Sequence, residues 1–588
     1  MRLYITECGA VGDGETLCTE AINAAVSKVA EAGGGYVLVP PGKFVSGTIF
    51  LKSNVYLYLE AGSTILGSMD RKDFIGQCKH MPDTCLVSGE ELENTGIMGE
   101  GTLDLRRQDI GYTSEHGRPV MILIADSKNV TVSGVSLINT GFFTIYCVGN
   151  TNVTFDRLII NSENCENGDG IDFSGSKNVT ISNCKIRCWD DAIGLKTHRK
   201  DVPCENFTIT NCVLSSNWAG VRLGPETCGD MKNISISNCV FNNCSDGIKV
   251  QLCEGYRMED LTFSNLNMVN VLRPFFFTSS SVPMGFDSLR PRPEPGTFKR
   301  VLISNVIAHI RTRPNWFETN IVIHGIPDSY IEDVIFNNLY VVNLGGGKKD
   351  DGKSAENEDL ISYGHWPDLV FDWEPYPCAC MYIRNVKGIK FYNCFFETDA
   401  PDERPAIVAQ AVDDIKLCQC ESKNTGSLLR HCGTTGVKII NCEGIVDEYD
   451  DEYKARWEKF RKYTVDFENK VIENGLVVRK LLACQAASSF KCSEILDESD
   501  KTKTAFDLDY SGGQVYLVVS NVNTKLQIFA NGKEAFCWDG PETDHYRFRV
   551  AVAADITNAL VTGKNSIELK VSGFDDDLSN KSVSQYVL

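Results

Sequence analysis

The chain has 588 residues, of which 23% are charged, and a formal net charge of -20. Because no stretch is dense in Lys and Arg, this acidic balance argues against a nucleic acid partner. No run of about 18 apolar residues occurs, which argues against a membrane-spanning helix. The opening MRLYITECGA lacks the charged and apolar regions of a secretory signal, so we expect a cytoplasmic protein.

An amphipathic helix is predicted near the start of the chain, over residues 18–32. The stretch CTEAINAAVSKVAEA places Ile22, Val26 and Val29 on one face, and Gly33 follows as a stop signal. If the following repeats form a solenoid, its open end must be shielded, so we expect this helix to cap it.

A strand-like phrase, of which NVTISNC is one example, recurs along the chain. Repetition at a period of 20 to 50 residues is typical of solenoids, and apolar residues that alternate with Thr or Ser predict short strands. Because no repeat contains a helical pattern, we predict an all-β fold, a right-handed parallel β-helix over residues 1–445. The phrase begins at Asn129, Asn152, Asn178, Asn206, Asn233 and Asp260, and again at Arg300, Glu332, Gly388, Asp414 and Gly436.

Equivalent residues of successive coils should form columns. One predicted column is an asparagine ladder at a turn, comprising Asn183, Asn211, Asn238, Asn265 and Asn305. Another is a column of reduced cysteines packed inside the coil, comprising Cys184, Cys212, Cys239, Cys394 and Cys442. No cysteine or histidine spacing fits a zinc site, so we expect no metal and no cofactor.

Two insertions break the period and are predicted to form walls around a site. The first, residues 271–296, contains Phe275 to Phe277, which fit either core packing or stacking on a sugar. The second begins at Gly345 and carries His365, Trp366, Trp373 and Tyr376. Long loops in a solenoid are usually functional or disordered, and a groove closed by such loops would favour cleavage at a chain end.

The composition changes in the last quarter of the chain. Residues 446–479 are predicted to form a helical linker with Tyr449, Tyr453, Trp457 and Phe460 on one face. Residues 480–588 alternate like an antiparallel β-sandwich, and Asn531-Gly532 indicates a tight hairpin. This part resembles the galactose-binding-like jelly rolls of many glycosidases, and both a structural and a sugar-binding role are open.

Three carboxylates are predicted to meet where successive coils begin. Asp169 precedes one strand and Asp190-Asp191 precede the next, about one coil later. Carboxylates at such close range cannot all ionise cheaply, so one should hold a proton, and glycoside hydrolysis requires such a pairing of acid and base. The apolar residues at the strand starts should form an inward column, comprising Ile171, Ile193, Val221 and Ile248. Alternation along the strands then turns a polar set outward beside the carboxylates, comprising Asp172, Lys196, Arg222, Lys249 and Gln251.

At these residues the sequence resembles glycoside hydrolase family 28, the polygalacturonase family of parallel β-helices. Asn167-Gly168-Asp169 stands for the family's N-T-D motif, Asp190-Asp191 matches its D-D pair, and the region after Gly9 resembles its N-terminus. The resemblance implies that Asp190 is the general acid and that Asp169 and Asp191 activate water, with inversion. The implied substrate-binding residues are Lys196, Arg222, Lys249, Gln251, Trp218 and Glu226.

The sequence departs from the family motifs at two places. Ala219 stands where the family has the histidine of G-H-G, and Lys249-Val250-Gln251 stands where it has R-I-K. One basic residue of the family's pair is therefore lost, although Arg222 could restore a charge. We predict an inverting glycosidase acting on a plant-type oligosaccharide or polysaccharide, which need not contain galacturonate. Two alternatives stay open: a polysaccharide lyase whose base is Lys196, Arg222 or Lys249, and a non-catalytic glycan-binding solenoid.

Overall fold

The computed structural model describes most of the chain. The described residues are 1–76, 84–110, 118–279, 296–311, 320–326, 329–349, 351, 376–449, 477, 481, 486–492, 501–522, 525–538, 550–572 and 582–587. Thirty-five strands, β1 to β35, form one sheet in which every pairing between strands is parallel. This is the predicted all-β architecture of a parallel β-helix, which the structure confirms.

The strands follow one another through the coils with short turns between them. In chain order β1 to β35 are Arg2–Tyr4, Asp13–Leu17, Gly35–Val39, Gly42–Ser46, Ile49–Phe50, Val55–Leu59, Ser63–Gly67, Cys85–Glu90, Glu93–Gly99, Thr102–Asp104, Val120–Ala125, Lys128–Ser133, Ser136–Ile138, Ile145–Asp156, Ile159–Ser162, Ile171–Ser182, Lys185–Cys188, Ile193–Thr197, Cys204–Thr210, Val213–Ser216, Ala219–Thr227, Met231–Asn242, Asp246–Leu252, Arg257–Val271, Arg273–Ser279, Thr297–Ile310, Ile321–His324, Ile331–Gly345, Met381–Tyr392, Phe395–Ala400, Pro405–Cys418, Glu421–Lys423, Ser427–Cys432, Lys438–Ile440 and Val446–Glu448.

Register keeps equivalent side chains in columns along the solenoid. The inward column that the alternation predicts is fully buried, because each member pairs with its equivalent one coil away and faces the same core. The predicted members are Ile171, Ile193, Val221 and Ile248. The column also continues to Ile145 one coil earlier and to Phe275 one coil later.

Asparagine ladders run along the turns, as predicted. Asn265 Nδ2 donates to Asn238 Oδ1 over 3.0 Å, and Asn305 continues the ladder over the same distance. Asn238 itself donates to Thr210 Oγ1 instead of to Asn211. These residues have positive φ, a conformation that Asn tolerates because its short side chain bonds locally.

The cysteine column also forms, with one exception. Every cysteine in the described residues is a free thiol, and Cys184, Cys212, Cys239 and Cys394 are buried. Cys442 is only half-buried, because it lies in the last coil and few described strands stack beyond it.

Helix α1, Thr19–Glu31, buries Ile22, Val26 and Val29 against the first coils, as predicted for a cap. The other helices whose bounds the structure describes are a one-turn helix α2, Arg107–Ile110, and three 3-10 segments, Ile5–Cys8, Arg71–Asp73 and Thr557–Ala559. None of the helices in the described ranges is long and apolar enough to span a bilayer.

The first predicted insertion begins later in the chain than the sequence indicated. Residues 273–279 are strand β25, because Phe275 stacks on Ile248 and Phe277 on Val250 inside the core. Phe276 points outward and is also buried. Residues 280–295, and His365, Trp366 and Trp373 of the second insertion, lie outside the described residues, whereas Tyr376 is buried.

The C-terminal strands form two antiparallel sheets of four strands each. Asn531 and Gly532 both have positive φ at the tight hairpin that the sequence predicts.

The solenoid ends slightly later than predicted. Strand β35 pairs with β33, so the coil continues to Glu448, beyond the predicted start of a helical linker at residue 446. Most of that linker, including Tyr453, Trp457 and Phe460, lies outside the described residues, while Tyr449 is half-buried. The remaining strands, β36 to β43, are Ser488–Lys491, Lys503–Tyr510, Val515–Val522, Lys525–Ala530, Lys533–Trp538, Val550–Asp555, Gly563–Ser572 and Ser582–Val587.

Candidate active site

Three aspartates meet at one corner of the solenoid. Asp169 and Asp191 occupy equivalent corner positions on adjacent coils, since Gly170 N donates to Asp191 O and Ala192 N donates to Ala219 O. Asp190 precedes Asp191 in the same turn. One carboxylate oxygen from each of the three lies within 4.8 Å of the others. The structure therefore brings the predicted trio together.

The outward column beside this corner carries the predicted polar set. Asp172 pairs with Gly194, Gly194 with Arg222, and Arg222 with Lys249 of the next coil. A Cβ at Gly194 would lie 2.0 Å from Asp172 Oδ1, so the glycine leaves the space that the Asp172 carboxylate occupies.

Lys196 links two of the carboxylates. Its Nζ donates to Asp172 Oδ2 over 2.8 Å and to Asp169 Oδ2 over 3.3 Å. All three groups are buried, where charges are stable only when they are paired. Although burial alone would lower the pKa of Lys196, Asp172 and Asp169 raise it well above its usual range. Lys196 is therefore a fixed positive charge that orients Asp169.

Asp191 is held from two sides. Its Oδ1 accepts from the backbone N–H of Ala219 over 3.3 Å, and its Oδ2 from Arg222 over 3.4 Å. Arg222 also donates to Gln251 Oε1 over 2.9 Å. The guanidinium thus lies between Asp191 and Gln251, the residue that departs from the family motif.

Asp190 is the most exposed member of the trio. Its Oδ2 accepts from Asn167 Nδ2 over 3.3 Å, and its Oδ1 accepts from the backbone N–H of Asp191 over 3.0 Å. The backbone carbonyl of Asp190 accepts from the Ser216 hydroxyl. The carboxyl is consequently fixed in position and can still contact a ligand.

The pKa values of all three aspartates are raised. Burial is the largest cause for each of them. For Asp190 the next cause is the negative charge of Asp191, whereas for Asp191 the charge of Arg222 partly offsets burial. Burial thus favours the protonated form of these carboxyls, and the negative charge of Asp191 adds to this effect at Asp190.

A second group of charges lies one coil beyond Arg222. Lys249 Nζ lies 3.6 Å from Asp246 Oδ2, and Arg273 donates to both oxygens of Asp246 over 2.5 and 2.9 Å. Lys249 also lies 5.4 Å from the ring centroid of Trp218 and 5.2 Å from that of Phe276. These aromatic contacts help to explain why Lys249 and Gln251 have 0% exposure, although the alternation predicts an outer face.

Glu226, the remaining predicted contact, lies beside His198. The two are 3.8 Å apart between Glu226 Oε1 and His198 Nε2, and Glu226 is buried.

Four site residues had no assigned role from the sequence: Asp172, His198, Asp246 and Arg273. Asp246 and Arg273 share the corner column with Asp191, because Ala219 pairs with Asp246 and Asp246 with Arg273. Extending the strand alignment by one coil, to the strand that begins at Arg273, would have revealed this pair. His198 follows its strand and approaches Glu226 only through a change of register, for which Gly224-Pro225 inside the strand is the one sequence signal.

Comparisons with known proteins agree with this geometry. The sequence profile of a family described as Glycosyl hydrolases family 28 matches residues 35–356, more than half of the chain. A probable polygalacturonase of Vitis vinifera is 25% identical over 308 residues, which cover 47% of this chain and 62% of the relative. An exo-poly-alpha-D-galacturonosidase of Dickeya chrysanthemi is 23% identical over 432 residues, covering 59% and 71%.

One solved structure supports the fold. The family 28 exopolygalacturonase of Yersinia enterocolitica superposes with a TM-score of 0.50 at 18% identity, covering 75% of this chain and 78% of that one. The first curated relatives are matched over less than two thirds of their own length, 62% for the Vitis vinifera protein and 64% for an endo-polygalacturonase of Pectobacterium carotovorum subsp. carotovorum. Together with the carboxylate trio, the profile match places this chain in glycosyl hydrolase family 28.

Proposed function

We propose that the protein is an inverting glycosidase that removes units from the end of short plant-type oligosaccharides. The observation that carries the proposal is the cluster of Asp169, Asp190 and Asp191, with oxygens within 4.8 Å of one another and raised pKa values. Glycoside hydrolysis needs a protonated carboxyl beside an ionised one, and this cluster can supply both. Its oxygens lie closer together than the roughly 6.5–9.5 Å usual for inverting enzymes, so the proposal of inversion rests on the family resemblance and not on this spacing.

Asp190 is the general acid of the proposed reaction. It is the most accessible carboxyl of the three, and its raised pKa keeps a proton available. The proton passes to the glycosidic oxygen as the bond from that oxygen to the anomeric carbon breaks. Activity should fall as pH rises through the pKa of Asp190, because the acid is then ionised.

Asp169 and Asp191 hold the attacking water. A spacing within 4.8 Å allows one water to hydrogen-bond to both carboxylates at about 2.7 Å each. The water oxygen attacks the anomeric carbon from the face opposite the leaving group, and its proton passes to one of the two carboxylates. Lys196 and Arg222 keep these oxygens oriented and stabilise their negative charge.

Two observations support action at a chain end. Asp169 and Asp191 are almost completely buried, so a substrate must reach them through a narrow opening, which a chain end enters more easily than the middle of a polymer. The Dickeya chrysanthemi relative is named an exo-poly-alpha-D-galacturonosidase. The free thiols of the described residues fit a reducing compartment, so we further propose that the substrates are imported fragments in the cytoplasm.

The ion pairs argue against the lyase alternative. A lyase base must be uncharged to remove a proton, but Lys196 lies 2.8 Å from Asp172 and has a strongly raised pKa. Arg222 and Lys249 are likewise next to Asp191 and Asp246. These lysines and this arginine are therefore better suited to orient carboxylates than to accept protons.

The proposal is tested by product analysis on acidic and neutral plant oligosaccharides of increasing length. We expect new reducing ends, release of small units only, and no absorbance from an unsaturated sugar. Asp190→Asn should lower kcat by about 10²- to 10⁴-fold, the usual contribution of a general acid. Asp507→Asn, a change at an exposed strand carboxylate, is the matched control and should have no effect. An unsaturated product, or an active Asp190→Asn variant, would contradict the proposal.

A further inference from the structure

The strand that carries Arg222 breaks the regular register of the sheet. Leu223 pairs with Leu195 and Thr227 with Thr197, so three residues on one strand face a single residue on the other. Such bulges are common beside active sites, where they redirect a side chain. Here the three residues are Gly224, Pro225 and Glu226, opposite Lys196, and the bulge places Glu226 beside the catalytic corner.

Glu226 has an unused acceptor atom in this buried position. The residue is 5% exposed, and its Oε1 lies 3.8 Å from His198 Nε2. Its Oε2 is buried and has no hydrogen-bond partner among the described residues. Because a buried carboxylate oxygen without a donor is unfavourable, this atom points to a donor that arrives with a ligand.

The groups around Glu226 are already committed to other partners or are neutral. Lys196 is paired with Asp169 and Asp172, and Arg222 with Asp191 and Gln251. Burial lowers the pKa of His198, which keeps the ring neutral.

The His198 ring is held on its other side. Its Nδ1 lies 3.1 Å from Ser174 Oγ and 3.4 Å from the Tyr146 hydroxyl. A neutral imidazole both donates and accepts hydrogen bonds, depending on its tautomer. Glu226 and His198 therefore offer one strong acceptor and one adaptable group side by side.

We propose that Glu226 and His198 form a subsite that selects a neutral sugar ring by its hydroxyl groups and disfavours a uronate. This inference rests on the proposed function and names the class of sugar unit bound beside Lys196. One hydroxyl donates to Glu226 Oε2, and a neighbouring hydroxyl bonds to His198 Nε2. A uronate carboxylate in the same place would meet the Glu226 carboxylate, whereas the nearby cations Lys196 and Arg222 are already paired within the protein, and specificity commonly arises from such repulsion.

The departures from the family motif agree with this specificity. Gln251 stands where a second basic residue would hold a galacturonate carboxylate, and it accepts a hydrogen bond from Arg222. Arg222, the cation that could substitute for the missing charge, is therefore already hydrogen-bonded to Gln251 and Asp191 within the protein.

The inference is tested by assaying the full-length protein with 4-nitrophenyl glycosides of two classes of sugar, neutral and uronate. Galactoside, glucoside, rhamnoside and xyloside represent neutral rings, and galacturonide and glucuronide represent uronates. We expect the wild type to prefer at least one neutral glycoside by 10-fold or more in kcat/KM. Glu226→Gln should lower kcat/KM for that glycoside by about 10- to 100-fold, mainly through KM, and should reduce its preference over the uronide.

Glu205→Gln, a change near an exposed lysine on a neighbouring strand, is the matched control and should preserve the ratio. A wild type that prefers uronides, or an unchanged ratio in Glu226→Gln, would overturn the inference.

A binding experiment separates this inference from the proposed hydrolysis. In the Asp190→Asn variant, calorimetry with methyl glycosides of the same sugars measures recognition without cleavage. Tighter binding of a neutral glycoside than of its uronate, lost in Asp190→Asn combined with Glu226→Gln, supports the subsite even if no substrate is hydrolysed. Tighter binding of the uronate, or no binding of either, overturns it.

Discussion

At the scale of single residues, the three clustered aspartates lie in positions that cost stability. The raised pKa of Asp190, due first to burial and then to Asp191, means that the folded protein binds this proton more tightly than the unfolded chain. The resulting stability is fully present below the unfolded pKa of about 3.9. It is lost as pH rises through the raised pKa of the folded state.

Asp190→Asn should therefore stabilise the protein at neutral pH although it lowers kcat. A gain of about 1 kcal/mol would raise the melting temperature by about 2 °C in a protein of this size. The gain should disappear when the pH falls below about 4, because the wild-type carboxyl is then protonated in both states. Thermal melts of both proteins across this pH range measure the effect, and a variant that melts lower than the wild type at neutral pH would refute it.

At the scale of structural elements, the asparagine ladders keep the coils in register. Asn206 Nδ2 donates to Asn178 Oδ1 over 2.9 Å, and Asn233 donates to Asn206 Oδ1 over 3.0 Å. Asn206 has a φ of 62°, in the left-handed region where a Cβ without local hydrogen bonds is unfavourable. Each such position thus combines a turn conformation with two contacts between coils.

Asn206→Ala should destabilise the solenoid by about 1–3 kcal/mol, since it loses both ladder bonds and keeps the strained turn. Asn206→Gly removes the same bonds but tolerates the positive φ, so it is the matched control and should cost less. Thermal or urea unfolding of the two variants measures the difference. Equal stability of both variants would show that backbone strain contributes nothing at this turn.

The sequence predicted the elements that follow the period and failed where the period breaks. The inward column at Ile171 and Ile193, the asparagine ladder and the cap α1 all follow from spacing alone. The bulge that redirects Glu226 was missed because the apolar pattern continues through it, although Gly224-Pro225 inside the strand is a signal for a bulge. Residues 273–279 were misassigned to an insertion because the aromatic run concealed another strand of the solenoid.

At the scale of the whole molecule, the stacking of coils brings together residues that are far apart in the sequence. Asp169 and Asp191 are 22 positions apart in the sequence, yet their coils are hydrogen-bonded neighbours. The sequence predicted which residues would meet. It could not predict how the cations would be shared among Asp169, Asp172, Asp191 and Asp246, because those pairings depend on side-chain rotamers.

The central claim is that these carboxylates direct a single displacement by water at the anomeric carbon. Proton NMR during the first minutes of hydrolysis tests it most directly, with the best substrate from the oligosaccharide panel. Before mutarotation, an α-linked substrate should release the β-anomer, because water attacks from the face opposite the leaving group. Release of the α-anomer as the first product would show retention of configuration and would contradict the assignment of Asp169 and Asp191 as water-binding residues.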